Sequence, residues 1–442
     1  MSKIKSVKAR EILASGGSPT LEVTVVTEEG FLGEASVSYG ASAGSLEAKV
    51  LLDGDQKRYH GKGMLIAREN VNTIIAKEIV GMEVTEQRKI DEKMMEIDGT
   101  ENKNRLGGNA ILAVSMAVAR AAANEKKQEL YEYLIETYKV YPPTATQLGR
   151  AGLPKPMMVM IEGGKHADET TDLQEYCVSA MGNKLARENI RMEMEIYEEL
   201  KKILKREKLS TNVGNEGAFA PNHPVGGQAF TNEKPMEYLM EAIKNAGYVP
   251  GVDAGLSIDA AASEFSEENS NHQTSIYNLQ IENKRLTSDE LIEYYCQWID
   301  KYPFVSWEDM LSEFDWESWP TLLSRVKIAG GNFKIIADDL TVTNSKLWQK
   351  AIDQKAADAI LIKLNQAGTV TETIDCCMLA KKNNLWTIPS HRGGGESNDT
   401  FMVDLAVAMG SEYIKVGPTR GERVCKYNRL MKIEELLNQS SN

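Results

Sequence analysis

The chain has 442 residues, 42% apolar and 26% charged, with a formal net charge of −13. This profile fits a folded protein with a large core and excludes disordered, collagen-like and mucin-like classes. No eighteen-residue apolar run marks a transmembrane helix, the acidic balance argues against nucleic acid, and the N-terminus lacks a signal-peptide core. A cytoplasmic protein with no nucleic-acid or membrane partner is expected. Five scattered cysteines (Cys177, Cys296, Cys376, Cys377, Cys425) form no CxxC pair. They fit reduced thiols better than a disulfide framework or a zinc site.

Residues 3–37 read as strands: 20–28 alternates at period two, a Glu-Gly turn comes next at 29–30, and 31–37 returns. Residues 62–138 read as helices at 64–80, 86–98 and 107–125. The last is nearly all Ala, Val, Leu and Met, and so is expected to be buried on most sides. Strands followed by helices give an α+β unit over 1–140. Two prolines and two glycines make 141–152 a linker. From 153 to 442, short apolar runs recur at 157–161, 256–258, 304–307, 334–337, 359–362, 386–389 and 413–416 between helical stretches. This is the rhythm of a parallel β/α barrel. The fold class is α/β, an α+β domain followed by a barrel.

The residues just after these runs carry the chemistry. Asp259 succeeds one, Glu308 and Asp309 the next, then Asp338 and Asp339, Lys363, and His391 with Arg392; Lys415 sits inside the last run. In a barrel such positions line one mouth. Asp259, Glu308 and Asp338 on neighbouring strands repel one another unless a cation offsets them, and oxygen-only ligands point to Mg²⁺ or Mn²⁺ rather than zinc. Singly, each also reads as a helix cap or loop acid. Lys363, beside a cation and a second lysine, is expected to have a lowered pKa suited to a general base; the alternative is a structural ion pair. Lys415 reads as a holder of carboxylates or a binder of a substrate anion. Glu216, in the loop 210–221, reads as a general acid or a turn residue. His166, Gln174 and Glu175 lie just past an apolar strand, and His166 alone carries little weight. His60, His223 and His272 read as surface residues, and the six tryptophans between 298 and 386 as barrel packing.

The stretches 98–103 (DGTENK), 108–115 (GNAILAVS), 210–214 (STNVG), 337–344 (ADDLTVTN), 361–366 (LIKLNQ) and 390–392 (SHR) closely resemble enolase (phosphopyruvate hydratase), in order and along the whole chain. The resemblance implies an α+β lid domain on a β/α barrel whose first strands run irregularly. It implies a hydro-lyase of glycolysis and gluconeogenesis that removes the α proton of 2-phosphoglycerate and expels the β-hydroxide to give phosphoenolpyruvate. Asp259, Glu308 and Asp338 match the ligands of a tightly held Mg²⁺, Lys363 the base and Glu216 the acid. His166, Glu175 and Lys415 match substrate-contacting positions, with His391 and Gln174 beside them, and Arg392 matches the phosphate-binding arginine. A homodimer or higher homo-oligomer is implied as well.

The chain departs from the family pattern at several positions. Tyr39 replaces a Ser that coordinates a second, substrate-linked Mg²⁺; the Tyr39 carbonyl, Ser38 or Ser42 are the substitutes at hand. Leu46 replaces a His before Glu47. Gly393 replaces a phosphate-contacting Ser, with a glycine inserted in 393–395. Asn215 replaces an Asp beside Glu216, Glu162 and Lys165 replace Asn and Ser, and 15–19 lacks an arginine. These changes fall on phosphate, second metal and lid, whereas the first metal and the proton-transfer pair are intact. Restoring Ser at 39 and 393 is expected to raise turnover of 2-phosphoglycerate where these sites have merely drifted, and a drop or no change counts against drift. Two other readings stand beside the first: the same elimination on a related phosphorylated or phosphonate hydroxy acid, and a non-catalytic enolase-like binding protein.

Overall fold

The computed structural model describes residues 2–40, 47–140, 153–167, 170–221, 230–267 and 275–439. The linker 141–152, Ser42, Leu46, His223 and His272 lie outside them. Strands β1 (Ile4–Leu13), β2 (Pro19–Thr27) and β3 (Leu32–Ser36) form an antiparallel meander. The alternation of β2 buries Leu21, Val23 and Val25 against the helix Gly108–Lys126. That helix is buried almost all round, as its composition predicts. Its alanines let the sheet approach closely: a Cβ on Gly33 would lie 2.0 Å from the Ala117 carbonyl oxygen. The helix expected at 64–80 is α-helical at Leu65–Glu69 and Ala76–Ile79 with a π-helical stretch, Asn70–Ile75, between. Gln87–Asp98 ends on Gly99 at φ +68°, the left-handed cap that glycine adopts freely. A further helix, Leu130–Tyr138, opens with a Glu129/Glu132 capping box.

Beyond β4 (Tyr39–Gly40) the barrel strands are β5 (Lys155–Glu162), β6 (Glu175–Ala180) and β7 (Ala254–Asp259). A small sheet, β8 (Ser266–Glu267), β9 (Ile276–Leu279) and β10 (Lys284–Thr287), comes next. Then come β11 (Phe304–Glu308), β12 (Lys334–Ala337), β13 (Ala359–Ile362), β14 (Trp386–Pro389), β15 (Gly394–Gly395) and β16 (Tyr413–Val416). Eight strands run in the order β14-β13-β12-β11-β7-β6-β5-β16, and a parallel bridge between Ser390 and Lys415 closes the ring.

The barrel is not wholly parallel, which corrects the expectation from the apolar rhythm. β6 pairs antiparallel with both β5 and β7. It escapes the sequence pattern because it returns from β5 antiparallel, with only a short 3-10 turn, Gly164–His166, described between them. The irregular first strands implied by the enolase resemblance are thus present. The consequence is local: a reversed strand offers its first residue, not its last, to the mouth, and that residue is Glu175. Glu162, Glu175, Asp259 and Glu308 then pair in register across β5, β6, β7 and β11. They form one row of carboxylates at the rim.

Trp298, Trp307, Trp319 and Trp348 are fully buried packing residues. The first domain is docked on the barrel by polar contacts. Arg120 makes a two-pronged pair with Asp399 at 2.6 and 2.7 Å. Asp91 accepts the Thr371 N–H at 3.1 Å, and β4 pairs with β15. No helix among the described residues is long and apolar enough to cross a membrane. All five cysteines are free thiols.

Candidate active site

The mouth of the barrel holds a cavity of about 330 Å³. Its lining brings together His166, Gln174, Glu175, Glu216, Asp259, Asp338, Lys363, His391, Arg392 and Lys415. Glu308 lies behind this wall, in contact with Lys415. The functional residues named from the sequence therefore converge, apart from Ser42, which lies outside the described residues.

Lys415 points inward from β16. Its buried ammonium sits 2.9 Å from Glu175, 2.9 Å from Asp259 and 2.8 Å from Glu308. Burial works against this charge, but Asp259, Glu175 and Glu308 outweigh it and hold Lys415 well above the usual lysine range. Of its two sequence readings, the holder of carboxylates is the arrangement seen.

Lys363 leaves β13 and binds Asp338 directly. Burial lowers its proton affinity, but the Asp338 carboxylate overrides that and the pKa is raised. The lowered value expected for Lys363 belongs to a site with a cation beside it; without one the nearest charge is the Asp338 carboxylate, and Lys415 is occupied by three others. Gln366 donates to Asp338 at 3.0 Å and Thr343 donates to Gln366 at 2.8 Å, so the carboxylate that grips Lys363 is itself fixed.

The acidic wall has the donor chemistry of a hard-cation site. Oxygens of Asp309, Asp338 and Asp339 come within 4.8 Å of one another. Glu308 is held well above the usual carboxylate range by burial and then by Asp259, Asp309 likewise by burial and Asp339, and Asp339 is pushed up to about 8 by burial and Asp338. Burial and mutual repulsion favour the protonated, neutral form of these carboxyls in the absence of a cation, and a divalent ion would stabilise their ionised form. Asp309 also accepts the Asp338 and Asp339 N–H groups at 3.0 and 2.8 Å, so it shapes the wall from behind.

On the other side, Glu216 hangs over β5 in a loop. Its carboxylate lies 3.2 Å from His391 Nε2 and 3.6 Å from His166 Nδ1. Burial opposes its charge, yet His391 and His166 outweigh burial and hold it well below the usual range. His166 is 3.0 Å from Glu175; burial disfavours its cation, but Glu216 and Glu175 push it up to about 9. Arg392 is buried, 3.3 Å from Glu47, and its N–H donates to Glu396 at 2.7 Å. Gln174 uses its N–H on the Asp259 carbonyl at 3.1 Å. Buried atoms of His166, Glu175, Glu216 and His391 lack a hydrogen bond of good geometry, the condition of a polar site that a ligand completes.

Gly393 faces this acid. A Cβ there would lie 2.8 Å from Glu216 Oε1 and 2.8 Å from His166 Nε2. A Ser at 393 would bring its side chain against the tips of the acid and its neighbour, which would have to give way for it. The adjoining ribbon is equally tight. Gly395 lies against Tyr39 with a virtual Cβ 2.3 Å from its carbonyl oxygen, and Ser15 binds the Gly394 carbonyl at 3.0 Å and the Glu396 N–H at 2.9 Å.

Sequence reasoning assigns no role to Glu162, Glu47 or Gln366. Glu162 is within its reach, since it directly succeeds the run 157–161; Gln366 and Glu47 act only through partners far away in sequence. Glu162 Oε1 accepts the Glu216 and Ala218 N–H groups at 3.0 and 2.9 Å. Burial, then the Glu216 charge, pushes Glu162 up to about 8.

Comparison with protein-family models gives two matches. Residues 4–134 match the enolase N-terminal domain, and residues 150–442 match the enolase C-terminal TIM barrel domain. With nearly all of the sequence covered in domain order, and a barrel mouth lined by a lysine, a loop acid and a wall of carboxylates, the chain belongs to the enolase family.

Proposed function

We propose that this protein dehydrates 2-phosphoglycerate to phosphoenolpyruvate in a Mg²⁺-dependent reaction, as a cytoplasmic, homodimeric enzyme of glycolysis and gluconeogenesis. The observation that carries this reading is the shared cavity: Lys363 just after β13 and Glu216 in the loop over β5 line it together, with β14 and β16 between those strands and with Arg392 and Lys415 in the same lining. A base and an acid on different sides of one anion-binding space suit removal of a proton at one carbon and loss of hydroxide at the next.

Lys363 takes the α proton as the neutral amine, a form that a cation held by Asp338 would favour by offsetting the carboxylate charge that now keeps Nζ protonated. Glu216 protonates the leaving hydroxide. It is ionised beside His391 and His166, and the arrival of a multiply charged anion raises its proton affinity. Arg392 takes the phosphate, in exchange for part of its contact with Glu47. Asp259, Glu308 and Asp338 would hold Mg²⁺, which when bound supplies the positive charge that a carboxylate-derived enolate requires.

A second reading, the same elimination on another phosphorylated or phosphonate hydroxy acid, is favoured by Gly393. It offers no side chain to a phosphate, and a Cβ there would meet the tips of Glu216 and His166 at 2.8 Å. The test tracks phosphoenolpyruvate formation from 2-phosphoglycerate while Mg²⁺ is titrated. Saturable turnover, abolished by chelation and by Lys363→Ala, is expected. No product at any Mg²⁺ concentration would overturn the substrate assignment. Turnover of a related hydroxy acid would then favour the second reading, and none at all a binding role.

A further inference from the structure

The rim row has one carboxylate that Lys415 does not reach. Among the described residues Glu162 has no ion pair, although it is fully buried. Its Oε1 receives two backbone N–H groups, those of Glu216 at 3.0 Å and Ala218 at 2.9 Å. Its Oε2 is buried without a hydrogen bond. The loop lies directly on the carboxylate: a Cβ at Gly214 would be 2.3 Å from Oε2. Other contacts hold the loop by its carbonyls. Tyr197 and Thr419 donate to Gly217 at 2.9 and 2.6 Å, and Arg420 donates to Gly214 at 2.8 Å. The Glu162 carboxylate alone, among the described residues, grips the N–H of Glu216 itself.

We infer that Glu162 is a positioning residue for the proton donor: it anchors the loop 214–218 on β5 and so sets where the Glu216 carboxyl stands against His391 and His166. The inference rests on reading Glu216 as the acid. Two N–H groups on one buried oxygen fix the peptide on either side of Gly217, and the Glu216 side chain then has little freedom. A buried N–H left without its acceptor is costly, so loss of Glu162 reshapes the loop rather than merely loosening it. A shift of about 1 Å at a catalytic group lowers a rate on the order of a hundredfold.

The test uses the full chain and two readouts. Glu162→Leu removes the acceptor at similar volume, Glu162→Gln keeps it, and Glu162→Asp withdraws it by one methylene. In Glu162→Leu, amide hydrogen exchange at Glu216 and Ala218 should quicken about tenfold or more, with the amides of β7 and β11 unchanged. Glu162→Gln should stay within about threefold of wild type, and Glu162→Asp should lie between, which serves if the Leu variant does not fold. In phosphoenolpyruvate formation, kcat should fall about 10- to 100-fold in Glu162→Leu with KM within about threefold, and Glu162→Gln should restore it. Unchanged exchange at both amides in the Leu and Asp variants would overturn the inference. So would quickened exchange with unchanged kcat, or a Gln variant as impaired as Leu. Glu216→Gln separates the two claims: full turnover there would refute Glu216 as the acid, while the exchange result still judges the anchor without substrate.

Discussion

The two sides of the barrel mouth are built differently. From β7 to β13 every functional group is borne by a parallel strand or the residue just after it: Asp259 ends β7, Glu308 ends β11, Asp338 comes directly after β12 and Lys363 directly after β13. On the β5, β6 and β14 side the groups come from a hairpin, a loop and a glycine ribbon. They are placed by side chains that bind backbone, such as Glu162 to Glu216 and Glu396 to Arg392. A strand end is fixed by the hydrogen-bonded ring, whereas a loop is fixed by whichever contacts surround it. Among the described residues, the departures from the enolase pattern at Glu162, Lys165, Asn215 and Gly393 lie in this second half, and Tyr39 pairs with Gly395 beside it, where a new contact can replace an old one.

The contrast breaks most visibly at Lys363. Glu216 can lose its proton to product only after the α proton has gone, so Lys363→Ala should cost the most, on the order of 10⁴-fold in kcat measured as phosphoenolpyruvate release. Glu216→Gln keeps the loop but cannot donate, and should lose on the order of 10²- to 10³-fold in the same assay. If the Gln variant were the more impaired, the loop side would be the dominant one. Gly393→Ser adds a side chain against Glu216 and His166. A fall of about tenfold in kcat is expected, and a rise would show that the loop accommodates what its present packing excludes.

The smallest effect concerns docking of the first domain rather than chemistry. Burial pushes Asp91 up to about 6, against hydrogen bonds from Thr371, Ser115 and Gln87. The folded state thus binds this proton more tightly than the unfolded chain. The stability it contributes is fully present below the ordinary aspartate range and is lost as pH rises through about 6, a difference on the order of 3 kcal/mol. Asp91→Asn, which can still accept the Thr371 N–H, should flatten the thermal midpoint between pH 4 and 6 and leave kcat within about twofold. An unchanged pH slope would remove Asp91 from this account.

The same contrast explains how much of the molecule is legible in the sequence. A parallel strand sends its next residue to the mouth, so the position just after each apolar run identifies Asp259, Glu308, Asp338 and Lys363 without any relative. The rule fails for β6, where the reversed strand makes Glu175 the first residue; the residues alone mark Glu175 only as polar and past the run 157–161, and its role comes through the resemblance to enolase. Glu162 obeys the rule but reads as a mere substitution until its oxygen is seen under the Glu216 peptide. The Asp338 partner of Lys363 is not legible, because a sequence gives neighbours along strands, not the group that reaches across from β12. Arg392 lines the cavity, but its partner Glu47 lies in the other domain and no spacing connects them.

The most direct measurement separates the two sides within one reaction. With 2-phosphoglycerate and Mg²⁺ in D₂O, exchange of the α proton reports Lys363, and phosphoenolpyruvate formation reports both groups. The account predicts that Glu216→Gln still exchanges the α proton while forming little product, and that Lys363→Ala does neither. Exchange that persists in Lys363→Ala, or vanishes in Glu216→Gln with the fold intact, would contradict it.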